Sequence, residues 1–153
     1  MRRIKRQPLQ IDVMYHADIT PLEKIAVGDW IDLRAAESFD IKAGESCKIP
    51  LGVSMDLPKG FEAVVLPRSS MFKNYGLLPA TSGLIDNTYK KQWFYVVYAT
   101  RDTHIEKDER ICQFRLQRNM PKVELNTVDS IEDNGRGGHG STGTNSFEMT
   151  DKA

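Results

Sequence analysis

The stretch "CKIPLGVSMDL" limits the possible folds most, because Cys47, Ile49, Leu51, Val53, Met55 and Leu57 alternate without a miss against Lys48, Pro50, Gly52, Ser54 and Asp56. Period two sends one set of side chains to one face, so the run reads as a half-buried strand. Further strand candidates are "IDLRA" near 31, "FEAVVL" at 61–66, "WFYVVYAT" at 93–100, "ICQFRL" at 111–116 and "KVELNTV" at 122–128. Turn residues separate them: "KAGE" at 42–45, "LPKG" at 57–60, "RDTHIEKDE" at 101–109 and "NMP" at 119–121. Strands this short, at this spacing, predict an all-β barrel or sandwich. One helix is expected, in "SSMFKNYG", with Ser69 or Ser70 as N-cap and Gly76 just past its end. In the run after Trp93, residues 93, 95 and 97 share one face and 94, 96 and 98 the other, and both faces read as buried.

A chain of 153 residues fits one domain, and a domain of that length buries about 70% of the surface its unfolded chain exposes. Residues 1–130 are expected to form the β core and residues 131–153 a flexible C-terminal arm. Cys47 and Cys112 are the only cysteines and stand outside any metal-ligand spacing, so two reduced core thiols in a cytoplasmic protein are expected. The basic start "MRRIKRQPLQ" has no apolar stretch after it, and no run approaches the roughly 18 apolar residues of a membrane span. Twenty-one basic side chains balance twenty-one acidic ones, which argues against direct nucleic-acid binding built on many phosphate contacts. An anionic ligand must be held by a few local groups.

Near the C-terminus, "GRGGHGSTG" at 135–143 contains the spacing Gly135-x-Gly137-x-x-Gly140 of a dinucleotide-binding turn. That turn needs a strand before it and a helix and return strand after it, and only Ser141–Ala153 follow. No Lys-Ser or Lys-Thr pair closes the run, which excludes a P-loop as well.

Four more polar clusters carry chemistry. "PRSS" at 67–70 puts Arg68, Ser69 and Ser70 where a strand ends and a helix begins, so a guanidinium, hydroxyls and unpaired N–H groups can converge on phosphate oxygens. Serines that merely cap the helix would leave Arg68 unexplained. "GLIDNTY" at 83–89 offers the Asp86 carboxylate at the end of an apolar run, with Gly83 permitting close backbone approach; an ordinary turn aspartate is the alternative. Asp32 in "DLRAAE" taken alone is a solvated strand-end acid. In "RICQF" at 110–114, Gln113 points away from the face of Cys112 and Phe114, while Arg110 and Arg115 read as subunit or surface ion-pair formers.

Together "DLRAAE", "PRSS", "GLIDNTY", "RICQF" and "GGHGSTG", in order from about Gly28 to Gly143, resemble the trimeric dUTP pyrophosphatases, or dUTPases. The resemblance implies a β-clip, a distorted jelly-roll barrel, in a homotrimer whose active sites are shared between subunits. It implies hydrolysis of dUTP to dUMP and pyrophosphate, with Mg²⁺ held through water by Asp32. Asp86 becomes the base that activates water, Tyr89 the residue under deoxyribose that leaves no room for a 2′-hydroxyl, and Gly83, Leu84 and Ile85 the main chain that reads uracil. Arg68, Ser69, Ser70 and Gln113 attend the phosphates. Arg136, Gly138, His139, Gly140 and Ser141 belong to an arm that closes over the nucleotide.

The chain departs from the family pattern in places. Asp29-Trp30-Ile31-Asp32 stands where Ala-Gly-x-Asp is usual, Ala80 replaces an Asn, and Lys91 replaces a Gly. In the arm, Arg136 comes two positions late and His139 replaces the aromatic Phe, which makes His139 or Phe94 the cover of the base. Two rivals follow. A dCTP deaminase shares the fold but carries a glutamate after its hairpin, absent from "GLIDNTYKKQ". A nucleotide-responsive binding protein would use dUTP to choose a regulatory protein partner.

Overall fold

A computed structural model describes residues 7–135 and Gly137. It is mostly β. In chain order the strands are β1 (Asp12–Tyr15), β2 (Ile31–Arg34), β3 (Phe39–Ile41), β4 (Ser46–Pro50), β5 (Val53–Asp56) and β6 (Phe61–Pro67). The short helix α1 (Met71–Tyr75) follows, then β7 (Leu77–Pro79), β8 (Leu84–Ile85), β9 (Phe94–Ala99), β10 (Thr103–Ile105) and β11 (Arg110–Arg118). The chain separates into two units, Met1–Met120 and Pro121–Ala153, and among the described residues every strand lies in the first.

Every pairing among the described residues is antiparallel. A four-stranded sheet runs β2-β11-β6-β8 and a three-stranded one β4-β9-β7, with two ribbons, β1-β5 and β3-β10. Leu33, Ile49, Leu51, Val53, Val97, Ile105, Ile111 and Phe114 fill one apolar core. Trp93, just before β9, meets Phe114 of β11 edge to face, with ring centroids 5.3 Å apart and planes at 80°, which packs the two larger sheets against each other. The thiols of Cys47 and Cys112 are free, as expected. Cys112 is fully buried, and burial pushes its thiol well above the ordinary range.

The run 47–57 is two strands, not one. Gly52 takes φ +70 and turns the chain from β4, paired with β9, into β5, paired with β1. A side chain at Gly52 would crowd Ala36 and Ile19 at 3.2 Å, so the turn needs both the left-handed backbone and the space. Leu51 and Val53 stay buried on either side of it. Alternation therefore passes through the break without a trace.

The expected strand at 122–128 is not formed. Val123, Leu125 and Val128 are 56%, 92% and 54% exposed, and the segment pairs with no strand among the described residues. A period-two pattern supplies the side chains of a strand but not its ladder partner. Conversely, the expected turn at 101–109 contains β10, which pairs with β3 through Thr103↔Ile41 and Ile105↔Phe39. The second face of β9 also differs from expectation, since Phe94 and Val96 are half-buried and Tyr98 is exposed. Among the described residues no helix is long and apolar enough to cross a membrane.

Candidate functional site

The end of β6 and the start of α1 form the first part of the site. Ser70 is the N-cap residue but makes no side-chain capping bond, and Gly76 closes the helix at φ 65 with its N–H donating to Phe72 O at 2.8 Å. With only five helical residues, the segment serves to turn Arg68 and Ser69 outward. They line an open cleft of about 260 Å³ with Asp32, Gln113 and the segment Ile25, Val27–Trp30.

Strand register sets this cleft. Asp32 of β2 lies opposite Gln113 of β11, and Cys112 lies opposite Pro67, the residue before Arg68. Gln113 is half-buried and donates from Nε2 to Pro67 O at 3.2 Å, while Cys112 and Phe114 beside it point into the core, as their alternation requires. The Asp32 carboxylate is shared by Arg68 Nε at 3.3 Å and Arg110 Nη1 at 3.3 Å. Arg68 also donates from Nη1 to Arg110 O at 3.4 Å. Arg110 thus makes the ion pair expected of it, but with the very acid that the motifs single out. Arg115 pairs with Asp29 at 3.2 Å and lies over the Trp30 ring, where the chain departs from the Ala-Gly-x-Asp pattern.

Behind Arg68, Tyr75 of α1 donates a short hydrogen bond to Glu109. Burial first, then that bond and the Glu109 charge, push the phenol up to about 12, so it remains a donor across the physiological range.

The second cluster lies on β8. Gly83 N-terminal to it is pressed against β6: Val65 N–H donates to Gly83 O at 2.6 Å, and a β-carbon at 83 would fall 2.0 Å from Val65 O. This is the close backbone approach that the sequence suggested. Leu84 and Ile85 pair with Val64 and Ala63. β8 stands at the edge of its sheet, and the segment is an edge strand with a turn rather than a hairpin paired to itself. Its outer main chain is open for a planar ligand to add to.

Asp86 follows and is exposed. Tyr89 N–H closes the turn onto Asp86 O at 3.0 Å, and the Tyr89 hydroxyl donates to Gln92 O at 2.7 Å, so its ring is fixed at both ends. Leu84, Ile85, Asp86, Tyr89, Phe94 and Lys48 line an open cleft of about 230 Å³. Phe94 sits in β9 opposite Pro50, with the Lys48 ammonium 4.2 Å from its ring centroid.

Sequence reasoning missed Lys48 and Asn87. The Asn87 amide donates to Pro58 O and Phe61 O, both at 2.8 Å, and so pins the Asp86 turn to the β5–β6 connection. A polar residue in a turn gives no sign of which carbonyls it will reach. Lys90 adds a bond to Asp56 at 2.6 Å, and Lys91, where a Gly is usual, is exposed beside this anchored turn. Ala80 is exposed, and its N–H donates to Val96 O at 2.9 Å.

Arg68, Ser69, Gln113 and Asp32 thus share one cleft, and Leu84, Ile85, Asp86, Tyr89 and Phe94 another. Ile85, the residue before Asp86, pairs with Ala63, five residues before Arg68, which is roughly 16 Å of extended chain at 3.3 Å per residue. Arg136, Gly138, His139, Gly140 and Ser141 lie outside the described residues.

The dUTPase family model matches residues 15–144. The SPbeta prophage-derived deoxyuridine 5'-triphosphate nucleotidohydrolase YosS of Bacillus subtilis (strain 168) is 51% identical over 141 residues, covering 89% of this chain and 99% of its own. The deoxyuridine 5'-triphosphate nucleotidohydrolase of Escherichia phage T5 is 34% identical over 91 residues, 56% of this chain and 61% of its own. Among solved structures, a Staphylococcus bacteriophage 80alpha dUTPase with dUPNHPP matches with a TM-score of 0.73 at 19% identity, covering 88% of this chain and 98% of that one. A dUTPase of phage phi11 of S. aureus, described with a structural Mg(II) ion, matches with a TM-score of 0.71 at 15% identity, covering 81% and 99%. These two structures share the fold, the distorted jelly-roll expected from the motifs.

Proposed function

The chain belongs to the dUTPase family and hydrolyses dUTP to dUMP and pyrophosphate, and from that premise we propose how its residues do so. Uracil adds to the open main-chain edge of Gly83, Leu84 and Ile85. Deoxyribose rests on the Tyr89 ring, whose two anchored ends leave no slack for a 2′-hydroxyl. Arg68, Ser69, Ser70 and Gln113 take the phosphates, and the Asp86 carboxylate takes the proton of the water that attacks the α-phosphorus in line. Phosphoryl chemistry of this kind needs positioning and fixed charge more than covalent help.

The observation that carries the reading is the presence of two unlike clefts, one with the Arg68 guanidinium, a hydroxyl, an amide and the Asp29 and Asp32 carboxylates, the other of aliphatic and aromatic side chains with the Asp86 carboxylate and the Lys48 ammonium. Their separation supports a shared site. A base and the donors that steady the phosphorus must each come within about 3 Å of the reacting groups, and roughly 16 Å of extended chain separates Arg68 from Ala63, the partner of the residue before Asp86. Each site then takes Asp86 from one subunit of a homotrimer and Arg68 from another, with Arg136, Gly138, His139, Gly140 and Ser141 of the 131–153 arm closing over the nucleotide.

Magnesium fits such a site in one way. Among the described residues no three acidic, histidine or cysteine side chains cluster to hold a metal, and Asp32 already serves two guanidinium groups. That donor set suits an ion carried on the triphosphate and touched by Asp32 through water, the manner in which Mg²⁺ commonly binds. When bound, Mg²⁺ neutralises phosphate charge.

A deaminase would need an acid beyond Asp86 in the 83–92 segment, which holds none, and no residue of either cleft favours a role confined to partner choice. The cytoplasm, where free thiols persist, suits Cys47 and Cys112. Purified protein incubated with Mg²⁺ and each deoxynucleoside triphosphate should release pyrophosphate from dUTP alone. Ammonia from dCTP would mark a deaminase, and no product from dUTP would refute the reading.

A further inference from the structure

Asp108 is the one non-glycine among the described residues with positive φ, at 72°. A side chain rarely sits in the left-handed region without a reason. The backbone there is held on both sides, with Asp108 N–H donating to Ala35 O at 2.8 Å and Arg34 Nη1 donating to Asp108 O at 2.7 Å. A glycine would meet that conformational demand more easily. What glycine would not supply is the carboxylate.

That carboxylate takes both donors of Thr20: the backbone N–H at 2.7 Å on Oδ1 and the hydroxyl at 2.6 Å on Oδ2. Arg34 stands 3.7 Å away. The two Thr20 bonds, side chain first, hold the Asp108 carboxyl below the usual carboxylate range, so the latch is charged at neutral pH. Thr20 begins a segment that contains neither strand nor helix until β2 starts at Ile31. From it come Ile25, Val27, Gly28, Asp29 and Trp30, one wall of the cleft that holds Arg68, Ser69 and Gln113. Beyond that latch, Leu22 N–H reaches the Tyr15 hydroxyl at 2.7 Å, Arg115 of β11 pairs with Asp29 and lies over the Trp30 ring at the far end, and Lys24 bonds within the segment to the carbonyls of Ile25 and Gly28. On the other side, Arg110 lies two residues past Asp108 and grips Asp32. A register shift between Arg110 and Cys112 marks the same corner of the β2–β11 ladder.

We propose that Asp108 is a positioning residue of the phosphate cleft: by latching Thr20 it fixes the 21–30 segment as the wall against which the triphosphate is held. The proposal rests on the reading of that cleft given above. Asp108 touches no reacting atom and acts through the wall.

Three full-length variants test it, Asp108→Gly, Asp108→Asn and Thr20→Val. Asp108→Gly relaxes the backbone and removes the latch, so it should melt no lower than the parent while the Thr20 amide exchanges with solvent at least tenfold faster. Its KM for dUTP should rise several-fold with kcat within about twofold, and Asp108→Asn, which keeps one acceptor, should fall between. An unchanged Thr20 exchange rate would sink the latch, and faster exchange with an unchanged KM would sink its role in the site. Should Asp108→Gly prove unstable, Thr20→Val, which leaves Asp108 untouched, must raise KM by itself, and failure to do so overturns the proposal. If the parent protein turned over no dUTP, the functional reading would fall, while amide exchange would still decide whether the latch exists.

Discussion

Asp32 lies directly across the β2–β11 ladder from Gln113, and its carboxylate is held between Arg68 and Arg110 at 3.3 Å each. The acid and the amide therefore share one mouth, and the guanidinium expected to meet phosphate is already oriented by Asp32. A partly exposed ion pair of this kind is worth about 0.5–1 kcal/mol. Asp32→Asn should accordingly lower kcat/KM for dUTP about 2- to 5-fold without unfolding the protein. Kinetics beside a thermal melt check this, and wild-type kcat/KM would leave Arg68 independent of Asp32.

Gly83 has no room for a methyl group, with Val65 O 2.0 Å from where it would sit. Gly83→Ala must push β8 off β6, at a cost on the order of 3 kcal/mol. The lower melting temperature should come with loss of dUTP turnover, because Leu84, Ile85 and Asp86 move with the strand. A stable, active alanine variant would show that β8 is not held where it is described.

Subunit sharing can be read by mixing. Asp86→Asn should bind dUTP yet lose about 10²–10⁴ in rate, since an amide cannot take the water's proton. Chains ending at Glu132 lack the arm and should also be inactive. After exchange between the two, mixed assemblies should recover activity, and proven exchange with no recovery would mean that the arm closes over its own subunit.

Phe94 is held in β9 opposite Pro50 with Lys48 over its ring, and on the proposed reading it walls the nucleoside cleft while His139 covers the base. Phe94→Ala should weaken dUTP binding equally at pH 6 and pH 8, by about 3- to 10-fold for a lost stacking contact. His139→Ala should weaken binding and also abolish any difference between the two pH values, since an imidazole titrates near 6.5. Calorimetric titration of both variants distinguishes them.

His104 of β10 bridges Asp40 at 2.7 Å and Glu106 at 2.5 Å, and those bonds, Asp40 first, raise its pKa above 6.5. A raised folded value means the bridge stabilises fully below about 6.5 and fades as pH climbs through the raised value. The β3–β10 ribbon should loosen on the alkaline side, and His104→Asn should flatten that dependence. An imidazole midpoint at or below 6.5 by NMR would contradict it.

Much of this site could be read from the chain because its parts are local: "PRSS" at a strand-to-helix junction and Gly83 before an apolar pair each announce their geometry in a few residues. What could not be read depends on partners distant in sequence. Arg110 reaches Asp32 across 78 positions and Asn87 reaches Pro58 across 29, and nothing in either residue encodes its destination. The same holds for strands. β10 and β8 are too short for a period to emerge, while 122–128 has the period and no ladder to join.

The stretch of β6 between Asp86 and Arg68 has a consequence for behaviour in dilute solution. On the proposed sharing, a chain on its own carries a proton acceptor with no phosphorus in reach and an anion clamp with no water to activate. Under subunit sharing, specific activity falls with dilution as assemblies come apart, so turnover itself reports the oligomeric state. A chain bearing one dead half also poisons some sites of a mixed assembly and repairs others, which sets the yield of every mixture by counting alone.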